Sequence, residues 1–125
     1  MNEKDVIQLV NMLWQATIEK KIEWKSAILS NENAYSTTID ECLLVFSVYF
    51  DPMLELWVAQ VEFYNSEGKT FFKAHYYEND NIEPFKQINK LINVIIDQML
   101  LITESKRKIF NHLESLLNKV KEEFN

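Results

Sequence analysis

The chain has 125 residues, 47% of them hydrophobic, with 13 basic against 19 acidic side chains and a formal net charge of −6. That size suits one domain able to bury its own core, so neither a disulfide nor a structural metal is required, and the apolar content argues against disorder. The acidity disfavours nucleic acid as a partner, no apolar run approaches the ~20 residues of a membrane span, and a single glycine cannot build a Gly-rich phosphate cradle.

The opening stretch, MNEKDVIQLV, carries acids and turns amphipathic, unlike a secretory leader. With a single cysteine, Cys42, this points to a reducing, cytoplasmic setting. Asp5 is placed to cap a first helix, within residues 1–22, that runs to about Lys21. Val6, Leu9, Val10 and Leu13 form its stripe, and Ile7, Trp14 and Ile18 widen it, which predicts burial on more than one side.

An antiparallel meander is predicted over residues 24–78. Trp24 heads a short extended segment, WKSAIL, and a polar loop is expected over Ser30 to Asn33. Tyr35 to Ile39 has the Tyr, Thr and Ile that suit a pleated strand. Three stronger strands follow, Cys42 to Phe50, Glu55 to Tyr64 and Lys69 to Tyr77, making four or five in all. The turns Asp51-Pro52 and Asn65-Ser66-Glu67-Gly68 are short enough to impose hairpins.

Alternation assigns the faces. Leu44, Phe46, Val48 and Phe50, then Trp57, Ala59, Val61 and Phe63, then Phe72, Ala74 and Tyr76 form the predicted core face. The opposite face mixes Leu43, Val45, Tyr49, Val58 and Phe71 with Glu62, Lys73 and His75. It is too apolar to be wholly solvated, so either a covering segment or an interface is expected there.

The last third, 83–124, contains Pro84 but no helix breaker after it. Phe85, Ile88, Ile92, Ile95, Met99, Ile102, Ile109, Leu113, Leu116 and Val120 recur in steps of three and four, interrupted only at Lys106. Thr103 to Lys108 is polar throughout and is where a kink, or a second helix capped by Thr103, would fall. One long helix is expected, Phe85 to Ile102 covering the sheet and Ile109 to Phe124 running past it. Ile96, Phe110, Leu117 and Phe124 broaden the stripe, so its second half is expected to pack on the N-terminal helix or on another subunit, with Ile109, Phe110, Leu113, Leu116, Leu117 and Val120 as a candidate self-association surface.

No catalytic or metal-binding motif emerges. Cys42 neighbours Asp40 and Glu41, the wrong setting for a reactive thiolate. His75 and His112 are the only histidines, and no C-x-x-C or H-x-x-x-H spacing exists. The Lys106-Arg107-Lys108 cluster lies on an otherwise solvated helix. Charge is uneven: residues 32–83 hold ten acids against the two bases Lys69 and Lys73. Tyr49, Glu62, Phe71, His75, Tyr77, Glu78 and Asp80 therefore form a candidate partner-binding surface, aromatic and acidic, suited to a basic protein. Ordinary strand propensity and loop solubility would explain the same residues.

Thr17-Ile18-Glu19-Lys20-Lys21-Ile22-Glu23-Trp24, where a helix ends before Trp enters a strand, resembles a loose group of small uncharacterised bacterial helix–meander–helix domains. Tyr35-Ser36-Thr37-Thr38 and Asn65-Ser66-Glu67-Gly68 belong to the same pattern, which covers about residues 6–100. Lys21 stands where that bend often has Gly, and the tail beyond Ile102 is not accounted for. The resemblance implies an α+β fold and brings no activity, cofactor or site residue.

The expected fold is thus α+β: an N-terminal helix, an antiparallel meander and a long C-terminal helix packed on one sheet face. The expected function is non-enzymatic protein binding, of an immunity, antitoxin or inhibitor type directed at a basic partner, by a homodimer. Two alternatives stand beside it: an acidic secretion-type chaperone holding an extended client, and a small-molecule or metal-binding domain. No cofactor, nucleic acid or membrane is expected.

Overall fold

A computed structural model of the protein describes residues 1–29 and 32–124. The architecture is α+β: α1 (Glu3–Ile18), then β1 (Lys25–Leu29), β2 (Glu32–Ile39), β3 (Cys42–Asp51), β4 (Leu56–Tyr64) and β5 (Thr70–Tyr77), then α2 (Ile82–Phe124). The five strands lie in sequence order, and every neighbouring pair is antiparallel. Of the loop expected over Ser30 to Asn33, residues 30 and 31 lie outside the described residues, and 32–33 already belong to β2.

Both ends of α1 are closed by local hydrogen bonds, though not by the residue the sequence singled out. Asn2 is the cap; its side-chain oxygen accepts from the Asp5 N–H at 2.9 Å, and the Asp5 carboxylate accepts from the Asn2 N–H at 3.1 Å. Asp5 is thus the third helical residue of a capping box, and the helix begins one turn earlier than predicted. At the other end the N–H of Lys21 reaches the carbonyl of Ala16 and that of Lys20 reaches Thr17, a Schellman motif. Its left-handed residue is Lys20, with φ 58°. The Gly-like position of this bend is therefore Lys20 rather than Lys21.

The turns are set by side chains more than by glycine. Asp40 and Glu41, both at positive φ, make a two-residue hairpin between Ile39 and Cys42. The Asp51 carboxylate accepts the N–H groups of Met53 and Leu54 in the next turn. Asn65 holds the third by accepting from Glu67 and Lys69, with Gly68 at φ 80°.

The core lies on the predicted sheet face. The row Tyr35–Phe46–Val61–Ala74 crosses four strands beside the row Thr37–Leu44–Phe63–Phe72. Phe46, Ala59, Val61 and Phe63 are fully buried, and Phe46 meets Trp24 and Phe63 edge-on at 5.9 and 5.6 Å. Trp24 also donates its indole N–H to Thr17 at 2.9 Å, tying the end of α1 to this face. From α1 the core receives Val6, Val10, Leu13 and Thr17, and from α2 it receives Ile88, Leu91, Ile92 and Ile95. Each such aliphatic burial contributes about 1.5–3 kcal/mol. Asn81 donates to Glu3 at 2.9 Å, and the Lys90 ammonium lies 3.9 Å from the centre of the Trp14 ring, so α1 and the start of α2 lie side by side.

Three expectations about the core change. Phe50 and Trp57 are 48% and 47% exposed; they pair at the far end of the β3–β4 hairpin and stack edge-on at 5.5 Å. Ile18, expected to widen the buried stripe of α1, is exposed. In α2 full burial stops at Ile95, and Ile102, expected over the sheet, is 68% exposed.

The chain divides into two compact units, Met1–Ile95 and the part from Ile96 onward. α2 is helical from Ile82 to Phe124. Thr103 does not cap a second helix. Its hydroxyl donates to the Met99 carbonyl at 2.9 Å, as helix-interior threonines do.

Candidate functional site

Two surfaces carry the residues singled out above. The first is the sheet face opposite the core, where register builds complete cross-strand rows. Lys25–Ser36–Val45–Glu62–Lys73 spans all five strands, and Ala27–Ala34–Ser47–Gln60–His75 runs beside it. Tyr49–Val58–Tyr77 forms the next row. Alternation thus brings Tyr49, Glu62, His75 and Tyr77 to one face, as predicted.

The middle of this face is already closed. Ala34, Val45, Ser47 and Val58 are buried although alternation places them on the face opposite the core. Glu62 sits in the same rows with its side chain only 12% exposed. Its carboxylate accepts from the Tyr64 hydroxyl and, at 2.6 Å, from the Gln60 amide, and pairs with the Lys73 ammonium at 3.4 Å. These donors, Tyr64 first, hold its pKa below the ordinary 4.5 against the opposing effect of burial. The same bond, with burial, pushes the Tyr64 hydroxyl above its ordinary 10.0. Glu62 is therefore a carboxylate fixed within the sheet, its charge offset by Lys73.

The other predicted binding residues separate from this cluster. Phe63 pairs with Phe72 while Tyr64 pairs with Thr70, so Phe71 is the extra residue of a β-bulge. Its ring lies 6.1 Å from Phe63, a core-face residue, and is half exposed at the sheet border. Glu78 uses its carboxylate to accept the Trp57 N–H at 3.0 Å, while its own N–H reaches the Trp57 carbonyl. Asp80 is exposed in the β5–α2 turn, which Asn81 closes through the Tyr77 N–H. The acidic surface is thus a rim of turn residues, not a continuation of the Glu62 row. Gln60, Tyr64 and Lys73 were not singled out from sequence. Period-two spacing places residues 60, 62 and 64 together, but pairing Glu62 with Lys73 depends on a register that the bulge shifts.

The second surface is the later part of α2. Every residue from 100 to 119 is exposed. Leu100, Leu101, Ile102, Ile109, Phe110, Leu113, Leu116 and Leu117 are each about half exposed or more. Steps of three and four put Ile102, Ile109, Leu113 and Leu116 on one stripe, with Phe110 and Leu117 beside it. The Lys106 ammonium bends over the Phe110 ring at 5.8 Å. Val120 continues the series, its side chain lying outside the described residues.

A third, smaller feature is a cleft of about 420 Å³ on the sheet face beside β2, lined by Lys21, Glu23, Lys25, Ser36, Thr38 and Leu43 among others. Among the described residues no three His, Cys, Asp or Glu side chains come together to hold a metal ion. No described helix is long and apolar enough to cross a membrane. Comparison with protein families, with curated proteins and with solved structures finds no match for this chain.

Proposed function

We propose that this protein is a non-enzymatic interaction module that works as a homodimer through the later part of α2 and offers its acidic turns to a basic protein partner. The observation that supports this reading is the run of exposed apolar side chains from Leu100 to Leu117 on one continuous helix. In proteins most helical stability comes from packing an apolar face rather than from propensity. A large exposed apolar patch on a chain of this size marks an interaction site.

Charge supports the second half of the reading. Asp40, Glu41, Glu55, Glu67, Glu78 and Asp80 are all exposed around the sheet. Such a field steers a basic partner and sets the association rate more than the affinity. An immunity, antitoxin or inhibitor role is of this kind, and the single thiol of Cys42 suits a reducing cytoplasm. A chaperone reading draws less support, because Val45 and Val58 on the second sheet face are buried rather than offered to a client.

Sedimentation or light scattering across a hundredfold concentration range tests the proposal. A mass that rises to twice 14.9 kDa is expected. A strict monomer at the highest concentration would overturn the homodimer.

A further inference from the structure

We infer that the outer end of the β3–β4 hairpin is the anchor for the basic partner, with Phe50 and Trp57 receiving a segment in which an arginine or lysine stands beside an apolar residue. The inference rests on the basic-partner reading above and names where on the acidic rim that partner seats.

Four large apolar side chains gather at this end. Phe50 and Trp57 are cross-strand partners, edge-on at 5.5 Å and each about half exposed. The turn between them carries Met53 at 92% and Leu54 at 53% exposure. The backbone beneath these side chains is already fixed. Glu78 holds Trp57 twice, its carboxylate accepting the Trp57 N–H at 3.0 Å and its own N–H donating to the Trp57 carbonyl at 3.2 Å. The Asp51 carboxylate closes the turn through the N–H groups of Met53 and Leu54. An anchor that is ordered before contact loses little freedom on binding, and tryptophan is among the residues enriched at binding hot spots.

Charge decides what the anchor takes. Asp51 follows Phe50, Glu55 lies in the same turn, and Glu78 is bonded to Trp57, whereas the sequence holds no lysine, arginine or histidine from Ser26 to Gly68. Lys73 of β5 is engaged with Glu62 at 3.4 Å, further along β4. The same end of a second copy would set these carboxylates against their own kind, and an anionic membrane surface repels them equally. A wholly apolar segment would cover the rings and leave the carboxylates without a counter-charge. An arginine or lysine beside an apolar residue meets both demands. Its cation is drawn to the Trp57 ring face and to the carboxylates, a pull that strengthens as water leaves, and its apolar neighbour covers Met53 and Leu54.

Two-dimensional NMR on the full chain tests the anchor, because Trp14, Trp24 and Trp57 each give an indole N–H signal and Trp57→Phe identifies the one at the hairpin. The probes are a peptide of alternating arginine and leucine, its glutamate–leucine counterpart, and phosphatidylglycerol vesicles. The arginine peptide is expected to move the Trp57 indole and the Met53 amide while Trp14 and Trp24 stay in place, and to lose about tenfold or more in affinity with Trp57→Ala. Unmoved Trp14 and Trp24 signals in that variant show that the fold is kept. Glu55→Lys, which spares both rings, should weaken the same peptide a few-fold. Binding of the arginine peptide at the Asp40-Glu41 or Glu67 turns and not at Trp57 would overturn the anchor and leave the basic-partner reading standing, whereas no binding at any site would overturn both. Equal shifts with the glutamate peptide, or with the vesicles, would overturn the cationic chemistry assigned to the partner.

Discussion

Lys20, Asp40, Glu41 and Glu55 hold left-handed backbone conformations that glycine adopts without strain, yet none of them is glycine. Left-handed conformations cost an L-residue about 1–2 kcal/mol, while glycine loses more entropy on folding, so the net gain from substitution is smaller. Lys20→Gly and Glu41→Gly are each expected to raise stability by about 0.5–1 kcal/mol, read as a higher denaturant midpoint with an unchanged slope. Glu62 gives a pH signature. Its folded pKa lies below 4.5, so the stability it contributes is fully present above that value and is lost as pH falls through the folded pKa. Wild type should therefore lose stability more steeply than Glu62→Gln as the pH falls below 4.5, and equal slopes in acid unfolding would show that the Tyr64 and Lys73 contacts contribute nothing. Alternation put Glu62 on the correct face but could not reveal Lys73 as its partner, because strand pairing is a non-local fact.

Among elements, α2 shows how one apolar spacing serves two environments. Ile95 and Leu113 belong to the same stripe, yet Ile95 is buried and Leu113 is half exposed. Ile95→Ala should cost about 2–5 kcal/mol in urea unfolding. Leu113→Glu should leave that midpoint nearly unchanged at low concentration while abolishing self-association in sedimentation. The helix and an antiparallel meander of four or five strands were legible from periodicity and turn residues, including the two hairpins set by Asp51 and Asn65, and the structure has five. Phe50 and Trp57 were misplaced because alternation says which face a residue takes, not how far along the strand the helices reach. Phe71 was misplaced because a bulge reverses the alternation locally, and nothing in Lys69 to Phe72 announces one.

For the protein as a whole, the two compact units should differ in how their amides respond to concentration. Helical hydrogen bonds over residues 100–117 lack a packed apolar side in the isolated chain, whereas those around Phe46 and Val61 lie in a closed core. Amide exchange measured at low and high protein concentration should show protection rising over 100–117 alone. Uniform protection at both concentrations would mean that the stripe needs no partner.

Local chemistry alone was enough for the α+β class, the strand sequence, the apolar phase of the last helix and the acidity of the turns. Those features depend on neighbours three or four residues apart, or on composition, and a linear chain displays them. Packing had to settle where burial along α2 ends, which side chains on the second sheet face are buried, and that Glu62 pairs with Lys73. Each of these depends on the space left by other elements, so it emerges only when α1, α2 and the five strands compete for the same two faces.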